Sequence, residues 1–385
     1  MKKIVLVLGI AALLFASCVS APSSTNASKE PDLTGVTSYY VRADGNDSNV
    51  GTSEDKPFKT LAKAVQAASK TTVKKITVIG TVEGKTTTKG LNSVPSRQRL
   101  KIIDAVGAKD ISKIVGDNIG VAQLKDSYDT PLSHEILITG KSDATSGERA
   151  ILTSKTSPVL IVENAAVRLE YIEISECKGE GSIWVLNGDL TVAKGVKITR
   201  NTSKDNGVGI YVEGGTLIMR DDAEVSFNEG VNAVGICFQK GSVGILLDNA
   251  RITDNKAGNL GGGIGLYGST LIMKDNATIS SNSAVNFGGG ILAGDHPPSG
   301  FISQITISGN ASIIKNNARI AGGIAIGGAT KLILQDTARV TENTATQSGG
   351  GIFGEGENVS VTKGPNVILK NNKAPQAPDT NFNFN

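Results

Sequence analysis

Aromatic residues make up only 4% of this 385-residue chain, which has a single Trp, two His and three Cys. His134 and His296 stand far apart, which leaves little for a His-based metal centre or a nucleophile–His–acid triad. Three Cys cannot frame a disulfide scaffold of this length. A bias of charge is missing as well: 39 Lys and Arg face 36 Asp and Glu, and without Lys2 and Lys3 the balance falls to +1. That excludes the basic footprint of a nucleic-acid-binding protein. After the first eighteen residues no apolar run is long enough to cross a bilayer as a helix.

Glycine is what the chain has in excess, 46 residues, together with Asn, Thr and Ser throughout. Such a composition predicts short strands joined by many turns. The N-terminus stands apart from the fold. MKKIVLVLGIAALLFASC has two Lys, an apolar run from Ile4 to Phe15 and small residues before Cys18, the pattern of a secretion signal. It resembles a bacterial lipoprotein signal, with Phe15 where that family prefers Leu. The resemblance implies a lipid on Cys18, a membrane anchor and residence in the cell envelope, at the surface or periplasmic face of the outer membrane. The plainer alternative is a signal peptide cut near Ala21. Residues 19–38 then read as a polar tether.

Aligning the chain on the Ile that follows its glycines gives Ile183, Ile210, Ile236, Ile264, Ile291, Ile324 and Ile352, spaced by 27, 26, 28, 27, 33 and 28 residues. Each unit holds three short alternating runs; in one they are IGLY (264–267), TLIM (270–273) and ATIS (277–280). Runs this short and one-sided bury their inner faces only by stacking on the next unit. The expected fold is all-β: a parallel β-helix with three strands per rung. Asn201, Asn228, Asn255, Asn282, Asn316, Asn343 and Asn371 each follow an Ile or Val by three residues, so they should share one corner and stack as an amide ladder. Cys177 stands in the same place one unit earlier.

Gly-Gly-Gly-Ile at 261–264, 288–291 and 349–352, paired with [Ile/Val]-x-x-Asn, resembles the polymorphic outer-membrane-protein repeat of bacterial surface proteins over residues 195–372. The start, YYVRADGNDSNVGTSEDKPFKTLAKAVQAA (39–68), resembles that of pectate-lyase-like, right-handed parallel β-helix proteins. That resemblance implies a capping helix beginning near Pro57, with Phe58, Leu61, Ala62 and Val65 on its apolar face. The domain plan is a signal (1–18), a tether (19–38), a cap (39–75), irregular rungs (76–182, with 84–135 as insertions) and regular repeats (183–385).

Strand alternation places Trp184, Tyr211, Cys237, Gly265, Leu292 and Phe353 outward on the first strand, and Ile218, Leu246 and Ile272 outward on the second. Apolar outward files point to a protein or glycan ligand, or to an insertion from 84–135 that covers them. The third strand's outward file, with Lys197, Glu224, Arg251 and Arg339, reads as solvated. Asp221, Asp248, Asp275 and Asp336 recur before an inward Ala, and either make the corner turn or bind Ca²⁺ between them. Asp44-x-Asn46-x-Ser48 is a weaker calcium-loop pattern. Gly263, Gly265 and Gly268 spell a dinucleotide fingerprint, but a strand follows where that site needs a helix. Asp295 and His296 lie in the corner GDHPPSG that lengthens the 33-residue unit. Cys177 and Cys237 should be free thiols, being about two rungs apart.

Two functions follow. One is a non-catalytic envelope lipoprotein whose surface serves adhesion or interaction. The other is a polysaccharide-active enzyme, implied by the pectate-lyase-like start, with Asp248, Asp275, Lys274 and Arg251 as its candidate groups.

Overall fold

Each short strand of the repeat finds its backbone partners one repeat earlier and one repeat later. The computed structural model describes residues 33–89, 135–142, 147, 149–156, 158–295 and 300–383. Two units are distinguished, Met1–Thr34 and Gly35–Asn385, and every element below belongs to the second. The unit is a parallel β-solenoid. Its first sheet has nine strands, from Thr86–Lys89 to Ile352–Glu355; its second has eleven, from Tyr39–Arg42 to Ser360–Lys363; its third has ten, from Thr81–Glu83 to Ile368–Lys370. The alignment Ile is in register throughout the repeats, Ile183 on Ile210, Ile236, Ile264, Ile291, Ile324 and Ile352, and all seven are fully buried.

The rung carries more than the three expected strands. A fourth, seven-stranded sheet follows the Asn corner, from Lys178–Gly179 to Thr344–Ser348. Its strands are two to five residues long and carry small residues inward, so they lack the alternating pattern that betrays the other three. A minor core of Val208, Val234, Ala257, Ala284 and Ala318 lies beneath it. The presumed insertion 84–135 also contributes a strand, Thr86–Lys89, which pairs with Leu160–Glu163; residues 90–134 lie outside the described ones.

One helix, α1 (Leu61–Lys70), covers the first rung, with Leu61, Ala64, Val65 and Ala68 buried. It begins at Leu61 rather than near Pro57, because Phe58 bridges Val41 in extended conformation and Thr60 is the N-cap, its hydroxyl accepting from Lys63 N at 3.2 Å. Ala62 faces outward in consequence. Asp47 holds the loop to the helix start by accepting from Lys59 N and Thr60 N, both at 2.9 Å, and from the Thr60 hydroxyl. Asp44 is engaged with Arg42. Within the same loop as the Asp44-x-Asn46-x-Ser48 pattern, Asp47 thus braces the start of the helix.

Asparagine decides how the rungs register. Asn201, Asn228, Asn255, Asn282, Asn316 and Asn343 are all fully buried. Each donates from Nδ2 to the Oδ1 of the next at 2.8–3.0 Å, and from its backbone N to that same oxygen. The second Nδ2 proton goes to a backbone carbonyl one rung back, such as Ile198 O for Asn228 and Val225 O for Asn255. No amide hydrogen is left over, and such chains of hydrogen bonds polarise one another. At the start Cys177 takes the place of an Asn and reaches Asn201 Oδ1 through its backbone N alone, at 3.0 Å, while its thiol turns to Ser175 O. At the other end the ladder residue is Asn372, not Asn371. Leu369, rather than Ile368, pairs with Val340 in the inner file, which shifts the corner by one residue.

Beyond Asn372 the last acceptor is a carboxylate. Asp379 Oδ1 takes both Asn372 N, at 3.1 Å, and Asn372 Nδ2, at 2.9 Å. The segment that delivers it also bridges Thr344, Ser348 and Ile352 through Lys373, Gln376 and Thr380, so it shields the last strand edges of the first and fourth sheets.

The ladder also explains the glycines. A Cβ on Gly263 would lie 2.6 Å from Gly290 O and 3.1 Å from Asn282 Nδ2; Gly235, Gly290 and Gly323 meet the next rung's carbonyl and their own rung's Asn in the same way. The two sequence signatures, Gly before Ile and Asn after Ile, are thus two sides of one contact. The cost appears one residue ahead of each Asn: Arg200, Phe227, Asp254, Ser281, Lys315 and Glu342 all have φ between 53° and 60°. That left-handed conformation costs an L-residue roughly 1–2 kcal/mol.

Opposite outcomes follow from these two features in guanidinium unfolding. Asn255→Ala strips Asn228 of the acceptor for two buried N–H groups and should cost about 3 kcal/mol or more. Ser281→Gly relieves the strained φ and should be neutral or stabilising by about 1 kcal/mol. An Asn255→Ala variant as stable as the parent would contradict the ladder's role.

Candidate functional site

The first sheet's outward side carries the candidate binding residues, and the turn before each strand folds back on it. Gly207, Gly261, Gly288 and Gly349 have φ of 62–69°, and a Cβ on Gly207 would lie 2.9 Å from Tyr211 Cβ and 3.0 Å from Cys237 Cβ. Where this turn residue is Ala233 instead, the strand residue it meets is Gly265. The outward file is therefore broken. Trp184, Tyr211, Leu292 and Phe353 are half-buried, whereas Cys237, Gly265 and Ala325 are buried.

The second sheet does not offer the expected apolar surface. Ile218 and Ile272 face outward but are only 5% and 3% exposed. Leu246 faces inward: it pairs with Met219 and Met273, and Ile245 takes the outward place beside Ile218 and Ile272. A Gly at 244 shifts the apparent alternation, because Phe238 from the first sheet fills the inward space a side chain there would occupy, 2.4 Å from its hypothetical Cβ. Asp189, Thr216 and Thr306 on the same face are also buried, so the part of the face around Ile218 and Ile272 is closed to solvent, whereas Ser360 and Thr362 at its far end are exposed. Alternation assigns a side to each residue but cannot show what shields it.

Trp184 and Tyr211 remain as an aromatic pair on adjacent rungs. Their ring centroids are 6.0 Å apart and the planes are tilted by 55°. Both polar tips are tied down: Trp184 Nε1 donates to Glu180 O at 3.0 Å, and Tyr211 Oη donates to Glu213 Oε2 at 2.7 Å. Burial and the Glu213 carboxylate push the Tyr211 phenol above its ordinary range, so it stays a donor. Two residues along each strand runs a second outward row, Leu186, Glu213, Gln239 and Tyr267. Lys240 Nζ holds Glu213 Oε1 at 2.7 Å.

The acidic file is a turn file. Asp221, Asp248, Asp275 and Asp336 have φ of 53–58°, with Gly309 at 62° filling the gap. Asp248 Oδ2 accepts from Asp221 N, and Asp275 Oδ2 from Asp248 N, at 3.0 and 3.1 Å. Arg220 Nε lies 3.6 Å from both Asp221 and Asp248. These bonds fit the turn role, and the described residues include no group of three or more His, Cys, Asp and Glu side chains placed to hold a metal. Arg251 is engaged with Glu224 at 2.7 Å, on the solvated third face. Gly263–Gly268 continues into the strand Thr270–Met273, not a helix. Cys177 and Cys237 are free and buried, which pushes both thiols up to about 12. Cys18, His134 and His296 lie outside the described residues, and Asp295 lies against Gly328.

One polar cluster had no sequence signal. Glu135 sits on the outward side of the second sheet, near Arg168, Glu170, Asp189 and Thr191, with the Thr191 hydroxyl 3.4 Å from its Oε1. Burial raises its pKa to about 7, against the opposing pull of Arg168. Because the folded state holds this proton more tightly than the unfolded chain, the contribution is favourable at low pH and is lost as pH rises through about 7. Discounted for partial solvent access, the loss between pH 5 and 8 should be on the order of 1–2 kcal/mol. Glu135→Gln should flatten that slope in pH-dependent unfolding, and an unchanged slope would contradict the assignment.

Comparison of the chain with known protein families, with curated proteins and with solved structures finds no match in any of the three.

Proposed function

We propose that the chain is a non-catalytic cell-envelope protein, held to the membrane through a lipidated Cys18, that presents the outer side of its β-helix for adhesion or for protein or glycan binding. The observation that carries this reading is the half-exposed Trp184–Tyr211 pair, whose rings are fixed by hydrogen bonds to Glu180 and Glu213. Fixed aromatic rings at a surface lose little entropy on binding, which is how a small patch gains affinity. The competing polysaccharide-cleaving reading rests on Asp248, Asp275, Lys274 and Arg251. Asp248 and Asp275 each accept from a backbone N–H group at a turn, and Arg251 pairs with Glu224, so each of the three has a structural role in the solenoid.

Binding of the immobilised protein to a panel of matrix proteins, mucin and polysaccharides tests the reading. Trp184→Ala combined with Tyr211→Ala should abolish the binding seen with the parent while leaving the melting temperature nearly unchanged. Equal binding by the double variant, or cleavage products from any polysaccharide, would overturn it. The anchor has its own test: Cys18→Ala should move the protein from the membrane fraction to the soluble fraction.

A further inference from the structure

We infer that the outer face of the fourth sheet binds a second copy of this chain, the two solenoids lying side by side with their axes reversed. Three of the seven exposed large apolar side chains among the described residues, Phe227, Val231 and Val285, stand on this sheet or at its borders. Leu260, Phe287 and Ile320 run beside them as a half-buried file on three successive rungs. The core beneath the sheet is filled by other residues, the inward Ala257, Ala284 and Ala318, so this outer file is not needed to close it. Phe227 also holds a left-handed φ of 53°, a costly conformation for a bulky side chain. A contiguous apolar face of this kind marks an interface. It is separate from the Trp184–Tyr211 pair, which lies on the first sheet.

Relief points to the occupant. Gly258 is exposed, and a Cβ built there meets nothing nearer than Gly230 O at 3.4 Å, so the position is a shallow hole. Val285, one rung further on, is a knob that stands 61% exposed. A two-fold axis parallel to the strands and passing between these two rungs sets Val285 of each copy into the Gly258 hole of the other. It also sets Leu260 against Phe287 of the second copy, so the most apolar part of the face lies at the centre, where binding energy concentrates. A two-fold along the solenoid axis would instead reverse the strands and lay the charged edge row, Glu229 and Lys256, over Leu260 and Phe287.

Charge and size agree with that arrangement. Carried along the corner that precedes the sheet, the same operation places Arg200 opposite Glu342 and Phe227 opposite Lys315, and brings no two like charges together. These side chains already have partners of their own: Arg200 is engaged with Glu173 and Glu176, Lys315 with Glu342, and Glu229 with Lys256. The contacts across the axis therefore extend existing pairs with alternating sign; exposed pairs add little affinity, and their effect is to fix the register. Six rungs overlap over about 29 Å, and five residues of each rung span about 16 Å. That is about 500 Å² on each copy and about 1,000 Å² in all, the size of a reversible dimer.

Analytical ultracentrifugation of the full-length protein in detergent, over a series of concentrations, tests this. The parent should show a monomer–dimer equilibrium. Val285→Lys puts a charge at the centre of the contact, and Gly258→Leu fills the hole without meeting an atom of its own chain at Cβ. Each should raise the dimer dissociation constant by about tenfold or more. Both positions are exposed, so melting temperatures close to the parent's should accompany the loss. Val50→Lys, at an exposed Val of the N-terminal cap, should leave the dimer unchanged. The inference is overturned if the parent is monomeric at every concentration, if Val285→Lys or Gly258→Leu dimerises like the parent, or if Val50→Lys weakens the dimer as much as they do.

Discussion

A continuous chain of side-chain amides runs through this solenoid, and most of the architecture follows from giving it room. Six fully buried Asn have every side-chain donor paired, one to the next Asn of the file and one to a backbone carbonyl a rung back, and the file closes on the Asp379 carboxylate. A buried amide with one partner missing is costly, so the arrangement is favourable only when each rung matches its neighbour. That requirement forces the glycine opposite each Asn from Asn228 to Asn343, the left-handed residue ahead of it and the common register of the alignment Ile; opposite Asn201, at the start of the file, the position is Ser182. Hydrophobic burial supplies most of the driving force for folding, but it would tolerate slips that the amides do not.

The same constraint sets what the surface can present. The turn that carries the second signature glycine folds back over the first sheet and covers part of its outward file, so what looks like one apolar stripe along the sequence becomes separate patches. The aromatic pair survives because Gly207 leaves room for Tyr211. Its rings are held by Glu180 and Glu213, residues whose own positions are fixed by the rungs they sit on. Surface chemistry is thus tied to the core through backbone register rather than through a dedicated pocket.

Periodicity made the parallel coil legible before any coordinates: Ile-to-Ile spacing gave the rung, and alternation gave the inward file. It failed where a short-range pattern and a long-range contact disagree. Asn371 and Asn372 are both three residues from an apolar residue, and only pairing with Val340 selects Asn372. Leu246 and Ile245 exchange faces because Gly244 gives its inward space to Phe238, a neighbour on another sheet. The fourth sheet and the half-buried Glu135 left no trace in the sequence, since neither depends on an alternating pattern. The closing role of Asp379 was equally silent, as it lies seven residues past the last ladder Asn.

Hydrogen exchange of the side-chain amides, in protein labelled with ¹⁵N at Asn, reads the ladder directly. Six Asn side-chain amides, those of 201, 228, 255, 282, 316 and 343, should be protected to the degree of core strand backbone, with exposed Asn such as 249 and 276 exchanging at once. Exchange of all Asn side chains at the rate of exposed amides would show that no such chain of hydrogen bonds exists and would contradict the central claim.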